Sequence, residues 1–539
     1  MLSAMRKAAS CLFGITMSWY LVPVHAEATA TTTAASEFAA IRLANDIIAE
    51  TQQLSRGNLL SRDEAGRAVD IAGDLAIVGV PFKVGPGFSG DIGTAYLYRY
   101  NGVQWVQIQQ LDPGDLRDRD NYGASVAVDG DTVAIGAYNH AIGRGAVYVW
   151  QDVDGIWTLI DKLTAPSANA IEWFGWALDL DGDQLVVGAT RRDLGATDAG
   201  AVFVFERNGG GWMYSETLGS ASPVGSLELG YDVALDGDTL VVGSGPSFDR
   251  AEIFRKVGGS WIADTLLSDP GGGGLGSNFG FSVGVNGDKA VIGAPLYDAA
   301  TNGGPSRIDA GAVYVYERDL GGWIETAVLT GDETEAGDRL GQSVDLAGDL
   351  IAAGSHRFDL PTGGGSSEWE SGGVFLFSRN GGVWQQAGIL GASDAHIQDN
   401  LGDAVAMDQD WIIAGAPKAD YRLDGRIDFD VGRIYLFSNP NQGGVCGDAN
   451  GNGNTDIVDA LETARFAAGL IAAVANPAAA DVDRNGLINI VDALLIARHA
   501  AGLATPLTCF DAAGQHIAGQ PGVRAEALAR ECLLMEGAA

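Results

Sequence analysis

The stretch GFSVGVNGDKAVIGAP, from Gly280 to Pro295, is one of seven segments that share a single frame. In every copy an Asp stands eight residues after the first Gly, and a second Gly stands thirteen after it. Apolar residues alternate or form β-branched runs between these marks, which indicates strands. Four copies carry the Asp-Gly or Asn-Gly pair that a tight hairpin requires, at Asp129, Asp181, Asp236 and Asn286. The other six frames begin at Gly66, Gly123, Gly175, Gly230, Gly341 and Gly402.

Each repeat continues with a third strand, such as GAVYVY, and a fourth that usually opens on Trp and closes on Leu six residues later. Seven repeats built on this four-strand pattern predict a mainly β, seven-bladed β-propeller over residues 46–438. The alternative is a β-solenoid, whose repeats are usually shorter.

The seventh repeat has no fourth strand of its own. Upstream of the first repeat, Leu54 precedes Gly66 by twelve residues, the same interval that separates Leu111 from Gly123. We therefore expect residues Ile48 to Leu54 to supply the outer strand of blade seven and close the ring. A short amphipathic helix is the alternative for this segment.

The repeats resemble the FG-GAP repeats of integrin α-subunit propellers and their bacterial relatives. Phe279-Gly280 with Gly293-Ala294-Pro295 carries the fullest match. The resemblance implies a propeller fold. The DxDxDG calcium loop of many integrin blades is not found in these repeats. An Asp recurs five residues after the second Gly, and a second Asp recurs in an Asp-x-Gly before the third strand. Either turn formation or cation binding explains these two recurrences.

Two copies of an Asp/Asn ladder follow the repeats, CGDANGNGNTDIVD from Cys446 and DVDRNGLINIVD from Asp481. Both fit one twelve-position frame with a Gly at position 6, which is the ligand spacing of an EF-hand loop around Ca²⁺. We therefore predict two Ca²⁺ ions. The ligands expected are Asp448, Asn450, Asn452, Asn454, Asp456 and Asp459 in the first loop, and Asp481, Asp483, Asn485, Leu487, Asn489 and Asp492 in the second.

Each ladder runs directly into a helix, DALETARFAAGL or DALLIARHAAGL, and neither has an entering helix. Paired loop-helix units of this kind resemble type I dockerin modules, over residues 446–510. The resemblance implies a small all-α calcium-binding domain that docks onto a cohesin-like module or another extracellular protein. It also implies that loop positions 10 and 11 contact the partner, here Ile457, Val458, Ile490 and Val491. Since dockerin ends usually lie close together, we predict a disulfide between Cys446 and Cys509, which leaves Cys532 free.

Residues 1–26 have the pattern of an export signal, with Arg6 and Lys7 before an apolar run and Val24-His25-Ala26 at the cleavage site; a membrane anchor is the alternative. We expect residues 27–45 and 439–445 to be linkers and residues 511–539 a tail. No later segment is long and apolar enough to span a bilayer. The mature product is therefore expected to be secreted, extracellular or on the cell surface.

The composition limits the function further. A formal charge of −36 argues against nucleic-acid binding, which needs a basic surface. Apart from His25, five His are scattered, and no arrangement of a nucleophile, base and acid is recognised, so no catalytic residue is assigned. We predict a non-catalytic protein whose propeller binds a protein or glycan and whose dockerin-like module tethers it. The alternatives are an extracellular polysaccharide-degrading enzyme and a self-associating surface scaffold.

Overall fold

A computed structural model describes residues 47–54 and 59–439, apart from short gaps at 86, 88–89, 167–170, 210, 270–275, 301–305, 363–365 and 424–425. Two short strands come first, β1 (Ile47–Ala49) and β2 (Gln52–Gln53). One short turn, His140–Gly143, is assigned as helical, although Ala141 and Ile142 within it have positive φ. No helix in the described part of the chain has the length and apolarity that a membrane crossing needs.

Seven antiparallel sheets contain most of the remaining strands, and they follow one another along the chain. Blade one is β3 (Ala68–Ala72), β4 (Leu75–Val80), β5 (Thr94–Tyr100) and β6 (Trp105–Leu111). Blade two is β7 (Ser125–Asp129), β8 (Thr132–Ala137), β9 (Ala146–Val153) and β10 (Ile156–Leu163). Blade three is β11 (Phe174–Asp181), β12 (Gln184–Ala189), β13 (Ala201–Asn208) and β14 (Gly211–Leu218). Blades four and five are β15 (Val233–Asp236), β16 (Thr239–Gly243), β17 (Arg250–Val257) and β18 (Ser260–Ser268); and β19 (Ser282–Asn286), β20 (Lys289–Ala294), β21 (Ala312–Asp319) and β22 (Gly322–Leu329).

The last two blades each carry a small extra hairpin before their third strand. Blade six is β23 (Val344–Ala347), β24 (Leu350–Ser355), β27 (Gly373–Asn380) and β28 (Val383–Gly391), with the hairpin β25 (Leu360–Thr362) and β26 (Ser366–Glu368). Blade seven is β29 (Ala404–Met407), β30 (Trp411–Ala416) and β33 (Arg433–Ser438), with the hairpin β31 (Tyr421–Leu423) and β32 (Arg426–Asp428).

The seven sheets form a closed ring. The first strand of each sheet contacts the first strand of the next, and β29 of blade seven contacts β3 of blade one. The apolar core lies between neighbouring blades; for example, Ile71 and Tyr98 of blade one pack in one cluster with Ile413 and Leu436 of blade seven. The predicted seven-bladed propeller with four strands to a blade is confirmed.

The two glycines that define each repeat explain its frame. Within a repeat they lie opposite each other, as where the Gly123 N–H donates to the Gly136 carbonyl at 2.9 Å. Across a blade boundary the second Gly touches the first Gly of the next repeat, so a Cβ on Gly79 would lie 2.0 Å from the Gly123 oxygen. The contact recurs at the closing boundary, where a Cβ on Gly415 would lie 1.9 Å from the Gly66 oxygen. A side chain at the second Gly would therefore separate two blades.

The Asp or Asn of the hairpin turn also joins neighbouring blades. The Gly beside it has positive φ, for example +56° at Gly182, as a tight hairpin requires. The side-chain oxygen of the Asp or Asn accepts the N–H of the corresponding Gly in the next hairpin. Asp129 accepts from Gly182 at 2.7 Å, and Asp181 accepts from Gly237 at 2.6 Å. These residues therefore stabilise the ring as well as the turn.

The N-terminal segment is shared between two blades. Gln52 and Gln53 pair antiparallel with β33 and complete blade seven. Residues Ile47–Ala49, in contrast, pair in parallel with β28 and make a fifth strand of blade six. Between the two, the Glu50 carboxylate accepts the Ser393 N–H at 2.8 Å. The assignment of Ile48 to blade seven was therefore wrong: the chain changes blades here because Ile47 and Ile48 pack into the cores that flank blade six.

Candidate ligand-binding funnel

One end of the central channel opens into a funnel of about 230 Å³. Its wall contains the residue that directly follows the first Gly of every repeat, so all seven blades contribute one side chain. Pro81, Phe82 and Tyr138 complete the lining. The seven equivalent residues are Arg67, Ala124, Trp176, Tyr231, Phe281, Gln342 and Asp403.

One side of the funnel is a chain of partly exposed aromatic rings, which we call the aromatic arc: Tyr138, Trp176, Tyr231 and Phe281. Their neighbouring ring centroids are 5.0 Å apart between Tyr138 and Trp176, 5.5 Å between Trp176 and Tyr231, and 5.2 Å between Tyr231 and Phe281. These spacings lie in the range at which tilted aromatic pairs attract each other. The arc is therefore a continuous apolar wall that spans blades two to five.

Trp173 supports this wall from an unfavourable backbone conformation. Its ring stacks on Trp176 with centroids 5.2 Å apart and planes 10° apart, and the Arg191 guanidinium lies 3.8 Å from its centroid. The φ of Trp173 is +54°, which costs a bulky residue about 1–2 kcal/mol. All seven blades have positive φ at this position, with Asn at 121, 278 and 400, Glu at 64 and 228, and Arg at 339. The positive φ therefore belongs to the repeat, and blade three differs in having a Trp ring there that holds Trp176.

The opposite side of the funnel is polar. Arg67 and Asp403 form an ion pair across the closing boundary between blades one and seven, and the Gln342 side-chain nitrogen lies 3.5 Å from Asp403. The Asp403 carboxylate raises the pKa of the Arg67 guanidinium, so the pair stays charged. The Arg67 side chain is 46% exposed and that of Asp403 is 9% exposed. The pair thus offers donors and acceptors to a ligand.

Four carboxylates line the channel of about 270 Å³ that adjoins the funnel. They belong to Asp70, Asp179, Asp232 and Asp345. Each accepts two backbone N–H groups, from the next residue and from the innermost strand of the next blade, at 2.6 to 3.0 Å. Burial raises the pKa of Asp70 and Asp345 to about 7 and that of Asp232 to about 6, against the opposing effect of these N–H donors. The pKa of Asp179 is also raised by burial. The channel is therefore polar and acidic.

The two recurring Asp of the loops are partners of each other. The carboxylate five residues after the second Gly accepts the N–H of the Asp that opens the Asp-x-Gly before the third strand. Asp193 accepts from Asp198 at 2.8 Å, and Asp298 accepts from Asp309 at 3.0 Å. Within the described ranges, no group of three or more His, Cys, Asp or Glu is arranged to hold a metal ion. These Asp therefore form loop contacts, which favours turn formation as the explanation of the recurrence.

The site residues predicted from sequence all lie outside the described residues. This applies to the twelve calcium ligands of the two loops, to Ile457, Val458, Ile490 and Val491, and to the Cys446–Cys509 disulfide. The export signal at residues 1–26 and both outer domain boundaries lie outside them too. All of these assignments stay predictions.

The funnel was not predicted from the sequence, although the repeat frame contained a signal for it. The frame keeps the Gly itself constant in all seven copies, while the next residue reads Arg, Ala, Trp, Tyr, Phe, Gln and Asp. This position lies beside a fixed backbone contact and faces the central axis in every blade. Because its side chain differs from blade to blade, the seven residues together can form a binding site.

Two family models match the chain. The FG-GAP repeat model matches residues 105–150, 157–205, 323–377 and 384–437, and the dockerin type I domain model matches residues 446–499. Each FG-GAP match begins at the Trp of an outermost strand and ends in the third strand of the following blade. No curated protein matches the chain.

Proposed function

Because this chain is an FG-GAP repeat propeller protein that carries a type I dockerin domain, we propose that it is a secreted docking protein. The dockerin domain tethers it to a cohesin-like partner in a calcium-dependent way, and the propeller holds a protein or glycan ligand. The observation that carries this proposal is the pair of Asp/Asn loops in register within the matched dockerin range.

Calcium has a specific task in this proposal. Each loop gathers carboxylate and amide oxygens around one point, and carboxylates held together without a cation repel each other. A module of about sixty residues has a small core. A ligand that binds only the folded form stabilises it by mass action. The docking surface, with Ile457-Val458 and Ile490-Val491, thus depends on Ca²⁺ for its shape.

The propeller supplies the second binding activity. Its blades are fixed to each other by backbone contacts at every glycine boundary, and every blade contributes at least one residue to the funnel. A rigid frame that presents variable side chains around one opening favours ligand binding. The funnel holds both an apolar wall and a charged pair, as small-ligand sites do.

The test uses the full mature chain and a panel of purified, immobilised type I cohesins, with Ca²⁺ or with a chelator. We expect capture in Ca²⁺, its loss in chelator, and its loss in the double variant Asp448→Ala, Asp481→Ala. A matched control removes two exposed hairpin carboxylates of the propeller, Asp238→Ala and Asp288→Ala, and leaves capture unchanged. Capture that persists in chelator or in the loop variant contradicts the proposal.

A further inference from the structure

The two sides of the funnel offer different chemistry to a single occupant. The aromatic arc presents ring faces and edges, and across the opening Arg67, Asp403 and Gln342 present planar polar groups. A sugar ring has the matching pair of surfaces, with C–H groups on its face and hydroxyl groups around its edge. We infer that the funnel binds the end of a neutral glycan chain, stacked on the aromatic arc and hydrogen-bonded to the Arg67–Asp403 pair. This inference rests on the proposed ligand-binding role of the propeller.

Stacking requires a ring that keeps its position when the ligand leaves. Trp176 meets this requirement, since Trp173 stacks on it in near-parallel orientation and Tyr138 contacts it at 5.0 Å. Trp173 is itself fixed by Arg191. The positive φ of Trp173 recurs at this position in all seven blades, so what is particular to blade three is the Trp ring and not the backbone. A Trp at this position, where three other blades have Asn, is explained if its ring holds Trp176 as a binding surface.

The polar side suits the hydroxyl edge of a sugar. Two adjacent hydroxyl groups need a donor and an acceptor a short distance apart, which an ion-paired guanidinium and carboxylate supply together. Asp403 holds Arg67 in place before a ligand arrives, so less conformational entropy is lost on binding. The Gln342 amide beside Asp403 adds a further donor and acceptor.

Charge and size decide against other occupants. The positive charge of Arg67 is already matched by Asp403, so no cation is left for an acidic ligand. The adjoining channel shares Arg67, Ala124, Trp176 and Tyr231 with the funnel, and its lining adds four Asp and no basic residue, so it offers no positive charge to an anion. A folded protein domain cannot enter a funnel of about 230 Å³, so a protein partner would have to bury its roughly 800 Å² on the surface around the opening. The end of a neutral chain fits these limits.

The test measures binding of the full mature chain to an array of neutral gluco-, xylo-, manno- and galacto-oligosaccharides, with oligogalacturonate as the acidic counterpart. Hits are titrated by calorimetry and by tryptophan fluorescence. The variants are Trp176→Ala, the conservative Trp176→Phe, and Gln342→Ala as an independent change on the polar side. Trp369→Ala is the matched control, since Trp369 is 54% exposed and lies outside the funnel.

We expect at least one neutral oligosaccharide to bind and the acidic one to bind more weakly. Trp176→Ala should weaken binding on the order of tenfold or more, as for a truncated aromatic anchor, while Trp176→Phe retains most of the affinity and Trp369→Ala retains all of it. Gln342→Ala should weaken binding without a change in the melting temperature.

Three results overturn the inference. The first is that no neutral oligosaccharide binds, and the second is that oligosaccharide binding is the same in Trp176→Ala and Gln342→Ala as in the unchanged protein. The third is that these two variants abolish cohesin capture instead of oligosaccharide binding. Calcium-dependent cohesin capture is measured on the same preparations. Capture without glycan binding removes this inference and leaves the docking role intact, whereas glycan binding without capture does the reverse.

Discussion

The substitution Gly415→Ala tests whether the glycine boundaries hold the ring closed. Gly415 belongs to blade seven and touches Gly66 of blade one, which is where the two ends of the propeller meet. Its φ is not in the left-handed region, so the added methyl group causes no backbone strain of its own. Any effect therefore reports the contact between the two blades.

The size of the effect follows from the geometry. The new Cβ would lie 1.9 Å from the Gly66 carbonyl oxygen and 2.8 Å from its carbonyl carbon, well inside van der Waals contact. Overpacking in a core costs about 1–3 kcal/mol where side chains are free to shift. Here the obstacle is backbone held by strands on both sides, so we expect about 3 kcal/mol or more. In a domain larger than 250 residues this corresponds to a fall in melting temperature of roughly 5 °C.

The assay is thermal unfolding of the full mature chain, followed by far-ultraviolet circular dichroism and by calorimetry. Gly225→Ala is the matched control, because Gly225 is exposed and a Cβ there would meet only the Thr197 oxygen at 3.6 Å. If Gly415→Ala melts within a degree of Gly225→Ala, the blades are not held by this contact and the explanation of the repeat frame is refuted.

Three further predictions concern the closure, the channel and the calcium loops. Deleting residues 27–57 should lower the melting temperature by several degrees, because blades six and seven both lose a paired edge strand; a melt within one or two degrees of the mature chain would exclude a role in closure. Burial raises the pKa of Asp70 and Asp345 from 3.8 to about 7, so the folded state binds more protons than the unfolded state in this interval and stability falls as the pH rises through it. Melts at pH values from about 5 to 8 should show this decline, and Asp345→Asn should flatten it; an equal slope in the variant counts against the assignment. Removing Ca²⁺ from the full chain should reduce its helical signal and leave the β signal in place, and the double variant Asp448→Ala, Asp481→Ala should lack this response; a helical signal that chelator does not change would contradict the calcium assignment.

Sequence periodicity predicted the propeller because a blade is a local structure. Its strands, its hairpin Asp and its outer Trp all follow from residues that lie within one repeat of each other. The reason for the thirteen-residue glycine spacing was not predictable in the same way. It depends on a contact between neighbouring repeats, such as Gly79 with Gly123, that appears only once the blades stand side by side.

The N-terminal segment shows where interval matching fails. The twelve residues between Leu54 and Gly66 placed the strand at the edge of blade seven, where Gln52 and Gln53 pair. The interval held no information about the preceding residues, whose partners are set by packing: Ile47 fits beside the core of blade six. The funnel was missed for a related reason, since its residues are about fifty positions apart and meet only around the axis.

The shared N-terminal segment has a consequence for the order of events during folding. Glu50 is separated from its partner Ser393 by 343 residues, and Thr51 from Ser438 by 387. The strands made first by the ribosome therefore wait for the strands of the propeller that are made last. Contacts of such long sequence separation form slowly, and unpaired edges are exposed in the meantime. The closed ring can therefore form only after blade seven has been synthesised. In a chain interrupted before that point, the N-terminal strand that completes blade seven has no partner and the ring stays open.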